Sequence, residues 1–139
     1  LIIYSPMIDR AAEFEAVSSH FDVAPSLVSF LKNNYDIKAP SVNGFVGRGL
    51  DTTRNFQNIH RIPLKQTKTD LIDFVMGEYH LNGNDLYKIT REFKEEPVQD
   101  ETKKEELLSA FNAFKRKNAQ MTEGKKILPD SIVKRYMVN

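Results

Sequence analysis

The chain has 139 residues, 40% apolar and 28% charged, with 20 Lys and Arg against 19 Asp and Glu. A mean hydropathy of -0.47, with no apolar run near the ~20 residues that cross a bilayer, excludes a membrane-spanning helix. The absence of cysteine excludes a disulfide framework, a thiolate nucleophile and a cysteine-rich zinc site.

The elements follow in chain order. Ser5-Pro6 offers a helix start, and Met7, Ile8, Ala11, Ala12, Ala16 and Val17 recur at helical spacing up to Phe21. Asp22 to Ser26 breaks that run. Leu27, Val28, Phe30 and Leu31 begin a second helix, closed by Asn33-Asn34. Residues 35–50 carry Pro40, Gly44, Gly47 and Gly49 and read as an irregular connection. Residues 51–64 are ambiguous. A helix capped at Asp51 or Thr52 would stop before Pro63. Thr67 or Thr69 then caps a helix with Leu71, Ile72, Phe74, Val75 and Tyr79. Asn82-Gly83-Asn84 is a turn, and Asp85 opens a helix with Leu86, Ile89 and Phe93 that stops before Pro97.

Residues 100–118 make the clearest helix. Leu107, Leu108, Phe111 and Phe114 share one face, early acids and late bases suit the helix dipole, and Pro129-Asp130-Ser131 starts a last short helix. No strand alternation survives this reading, so the expected fold class is all-α. The expected organisation is a first hairpin unit over 1–37, a basic Gly-containing linker over 38–66, a second unit over 67–97 and closing helices over 98–139.

Residues 14–33, FEAVSSHFDVAPSLVSFLKN, resemble the helix-turn-helix motif of DNA-binding proteins. In that register Val17 and Phe21 meet Val28 and Leu31, Val23 plugs the turn, and Ser18 permits close helix approach. Val28 and Leu31 are then expected to be buried, and Leu31→Ala to cost about 2–5 kcal/mol. The family usually has Gly where this chain has Asp22, which tolerates the same left-handed geometry. A shift of 58 residues places Val75, Tyr79, Leu81, Leu86 and Ile89 on the same seam, so residues 72–91 match more weakly, with Met76 where a small residue is expected.

The resemblance implies double-stranded DNA as partner and an outward helix that enters the major groove. The candidate contacts are Ser26, Ser29, Lys32 and Asn33 on the first unit and Asn82, Asn84, Lys88 and Arg91 on the second. Arg54, Arg61, Lys65 and Lys68 in the linker are candidates for phosphate contact. A non-enzymatic role follows, in transcription regulation or in site recognition for a DNA-processing complex. The competing class is a helical protein–protein adaptor, which the near-zero net charge favours. Association with itself or with a larger protein complex is expected, because one short helix supplies little specific affinity.

No catalytic group, metal or cofactor is expected. Glu95-Glu96 and Glu105-Glu106 are adjacent acids without an implied pocket, and Ser18-Ser19-His20 lacks a nucleophile elbow. The GFVGRG stretch at residues 44–49 lacks the ending of a P-loop, and His20, His60 and His80 show no ligand spacing. The expected location is intracellular, in cytoplasm or nucleus, or in host-cell cytoplasm for a phage-derived chain.

Overall fold

The computed structural model describes residues 1–6, 8–39, 43–65, 67, 69–123, 128 and 130–136. A 3-10 turn, His20–Asp22, runs into α1, Val23–Tyr35. Five strands follow, β1 (Arg61–Lys65), β2 (Leu71–Met76), β3 (Tyr79–Asn82), β4 (Asp85–Ile89) and β5 (Glu95–Pro97). Helices α2 (Glu101–Glu123) and α3 (Asp130–Tyr136) close the chain. The strands form one antiparallel meander in sequence order, β1-β2-β3-β4-β5.

The all-α expectation is therefore corrected to a mixed fold. Hairpin chemistry is the reason. Met76 pairs with Tyr79 and Asn82 with Asp85, which leaves two-residue loops at Gly77-Glu78 and Gly83-Asn84. Gly77 has φ 59° and Gly83 has φ 58°, values only glycine takes without strain. The segment read as a helix over Leu71 to Tyr79 is thus a strand, a reversal and the start of another strand. The helix read from Asp85 is β4. Pro63 and Pro97 lie on the outermost strands, where a missing N–H interrupts no central ladder.

The sheet buries side chains on both faces. One face carries Phe74, Leu81 and Leu86, covered by Leu107 and Phe111 of α2. The Phe74 and Phe111 rings stack with centroids 5.1 Å apart. The Asp100 carboxylate accepts the Lys103 N–H at 2.9 Å and caps α2. The opposite face carries Ile62, Val75 and Ile89, covered by Val17 with Phe56 beside it. Asp73, Phe74 and Val75 are consecutive buried residues because both faces are covered.

The first helix expected over 6–21 is absent among the described residues, apart from the 3-10 turn. Val17 instead donates its backbone N–H to the Gln57 carbonyl at 2.8 Å and reaches the sheet. With no first helix there is no helical seam. Leu31 is 38% exposed, Val28 36% and Phe21 49%. The helix-turn-helix register of 14–33 is overturned on that geometry, and that of 72–91 by the β2–β3–β4 meander. The resemblance falls with them, and so does what it carried towards DNA binding and transcription regulation.

Candidate functional site

Asp22 is the hub of the N-terminal half. It is 1% exposed. Its Oδ2 accepts the Ser19 N–H and hydroxyl, both at 2.8 Å, closing a Ser-x-x-Asp capping box around the 3-10 turn. Its Oδ1 accepts the Arg48 N–H at 2.9 Å and the Gly49 N–H at 3.3 Å. The next two amides are also bonded to side chains of the same region. Leu50 N–H donates to Ser26 Oγ at 2.7 Å and Asp51 N–H to Ser18 Oγ at 3.0 Å. Four successive loop amides are thereby held by three side chains between residues 18 and 26.

Burial works against the Asp22 charge. The hydrogen bonds from Ser19 and Arg48, with His60 alongside, outweigh it and hold the carboxyl below its usual range. Gly47 makes the docking sterically possible. A Cβ there would lie 2.2 Å from the Phe21 carbonyl oxygen. Asp51 is also held low, chiefly by the Thr53 and Gln57 side chains.

His60 stands beside this hub, 4% exposed, with Nδ1 3.4 Å from Asp22 Oδ1. Its Nε2 is buried and has no hydrogen-bond partner among the described residues. His60 lines a cleft of about 640 Å³ between the 43–48 loop, β1 and α2. Phe21, Phe45, Ile62 and Phe114 supply apolar lining there, and Arg48, Arg61 and Lys117 supply positive charge.

A second buried histidine lies on the sheet. His80 Nδ1 is 2.6 Å from Glu95 Oε1 on β5, and Nε2 is 3.9 Å from Asp73 Oδ1 on β2. The cluster ties an edge strand to the sheet face. Among the described residues no three His, Asp or Glu groups converge as metal ligands. No described helix is long and apolar enough to cross a membrane.

The residues expected to contact DNA are not brought together as two recognition helices. Ser26 faces inward and is bonded to the Leu50 N–H. Ser29, Lys32 and Asn33 are exposed on α1, and Arg54 is exposed in a bend. Arg61 and Lys65 lie at the two ends of β1, and Lys68 lies outside the described residues. Asn82 ends β3, and Asn84 sits in the following hairpin loop. Lys88 pairs with Glu78 at 3.7 Å, and Arg91 pairs with Glu15.

Sequence reasoning missed Asp22, His60 and His80 as interacting groups. Ser19-x-x-Asp22 was the one local signal for the first of them. Their partners stand up to 38 residues away along the chain, so nothing local announced the rest.

The outer face of α1 is the other distinctive surface. None of its residues is buried. Leu27, Leu31 and Tyr35 recur at i, i+4 and i+8, with Val28 and Phe30 beside them, all exposed. Lys32 is the only charged residue in the helix. Comparison with protein-family models, curated proteins and solved structures gives no match.

Proposed function

We propose that this chain is a protein–protein interaction module that acts by binding, docking α1 into an apolar groove on a protein partner. One observation carries the reading. α1 is a regular helix with no buried residue, and Leu27 and Leu31, one turn apart, are both exposed on it. Soluble proteins rarely leave contiguous apolar surface of this kind uncovered without a use for it. The spacing is that of helix-in-groove recognition, with anchors one and two turns apart. The near-neutral helix favours an uncharged apolar groove over an acidic one.

The hub described above supports the same reading. Ser26 and Asp22 fasten the inner side of the helix start to the 48–50 loop. The stripe is thus presented at a set angle, which lowers the ordering cost of docking. Two of the cations expected to contact DNA, Lys88 and Arg91, are paired with acids instead.

The test places a photo-crosslinking side chain at Leu27, Leu31 or Tyr35 in cells, with Asn84 on the far hairpin as control position. A partner captured from the stripe and not from Asn84 is then purified and titrated with the chain. Leu27→Glu with Leu31→Glu should weaken that binding by at least about a hundredfold, two anchors at roughly tenfold each. Unchanged affinity in the double variant overturns the proposal. Sedimentation of the chain alone reports whether a second copy occupies the stripe instead. A long duplex titrated over a salt series supplies the other opposing outcome. Binding that falls steeply with salt would point to nucleic acid and away from a protein groove.

A further inference from the structure

The geometry points to a second binding site, independent of α1: the cleft between the 43–48 loop, β1 and α2 takes a small aromatic organic anion. Its volume, about 640 Å³, falls within the ~300–1,000 Å³ of small-molecule sites. Its lining separates into two chemistries. Phe21, Phe45 and Phe114 offer aromatic surface, against which a flat apolar body packs in offset or edge-on contact. Arg48, Arg61 and Lys117 offer cationic heads on the exposed side.

None of those three cations forms an ion pair with a described residue. Among the described residues Asp22 is the one acid in the lining, and its two oxygens already accept four hydrogen bonds. The cleft is therefore net positive towards a guest.

Two further features mark a built site. At its C-terminal end the 43–48 wall is fastened: the Arg48 N–H donates to Asp22, and Gly47 packs directly against the Phe21 backbone. His60 lines the cleft almost fully buried, with Nε2 unpartnered among the described residues. Buried polar atoms without partners are rare in folded proteins, and a water or a guest's acceptor would complete this one. On α2, Ala110, Ala113, Phe114 and Lys117 recur at helical spacing along the cleft, and the two alanines keep that wall small.

The anion's charged group is a phosphate or a carboxylate. Both meet arginine through paired N–H donors, and the experiment separates them. The full chain is titrated calorimetrically with naphthyl phosphate, naphthoate and uncharged naphthol. At least one anion should bind and naphthol should bind at least about tenfold more weakly, the preferred anion naming the head group. Arg61→Ala and Lys117→Ala should each weaken that anion by about tenfold and leave naphthol unchanged. Ala113→Trp, at an exposed position of α2, should abolish binding while thermal unfolding stays as in the parent chain. Leu27→Glu with Leu31→Glu serves as control for adsorption to the bare helix and should leave anion binding intact. Equal binding of naphthol and both anions overturns the proposal. So does anion binding that survives Ala113→Trp, or that disappears with the α1 double variant. These results stand apart from the docking proposal, because the stripe and the cleft share no residue.

Discussion

Replacing Asp22 with Asn separates hydrogen bonding from shape at the hub. The side chain keeps its volume and loses its charge. One of its two acceptor oxygens becomes an NH₂ donor. In the parent chain Oδ2 takes the Ser19 N–H and hydroxyl, and Oδ1 takes the Arg48 and Gly49 N–H groups. Whichever way the amide turns, two of those four bonds are lost. At least one backbone N–H then faces another donor. Hydrogen bonds to a charged acceptor contribute about 1.5–3 kcal/mol each, so two at the lower bound put the cost near about 3 kcal/mol. That is a large share of the ~5–15 kcal/mol that holds a domain together.

The assay is urea unfolding followed by far-ultraviolet circular dichroism from pH 7 down to pH 3. The sign follows from the direction of the shift. The folded carboxyl of Asp22 lies below its ordinary value. Its stabilisation is therefore complete above the unfolded pKa of ~3.9 and is lost as pH falls through the lower folded value. The parent chain should lose stability on that acid limb, and the Asn variant should show a shallower limb. A cost below about 1 kcal/mol at pH 7, or an unchanged acid limb, would refute the hub as a source of stability.

Gly47→Ala should cost about 1–3 kcal/mol in the same assay, because the new Cβ meets backbone rather than a movable side chain. Leu107→Ala should cost about 2–5 kcal/mol, since Leu107 is fully buried between α2 and the sheet. Leu31→Ala should cost less than about 1 kcal/mol, in keeping with its exposure on α1; a larger loss would place Leu31 in a core. Glu95→Gln should speed amide exchange in β5 more than in β2, because the His80 contact ties that edge strand to the sheet; equal exchange would remove that tie.

Within this chain, local signals sufficed for the elements that rest on local interactions. α2 follows from the apolar spacing of Leu107, Leu108, Phe111 and Phe114 and from early acids and late bases, although it runs on to Glu123, beyond the expected end at 118. α3 starts where the sequence places it, α1 covers the expected helix but begins four residues earlier, at Val23 inside the expected break, and the turn at Asn82-Gly83-Asn84 is a turn. Each depends on contacts between residues a few positions apart, which periodicity reports directly. The same periodicity misled at Leu71, Ile72, Phe74, Val75 and Tyr79. A strand covered on both faces shows no alternation, and the reversal at Gly77 restores an apolar residue at helical spacing.

Tertiary structure alone decided the rest. The helix expected over 6–21 is absent among the described residues, and Val17 instead gains a place on Ile62, Val75 and Ile89 that no local pattern encodes. Asp22 gains its charge-stabilising partners from residues 48 and 49, and His60 is brought beside it from the start of β1. The cleft draws its cations from the loop, from β1 and from α2. Residue type alone announces such a group only as a surface lysine or arginine. Its neighbours are set by the antiparallel order of the sheet and by which side of that sheet α2 covers.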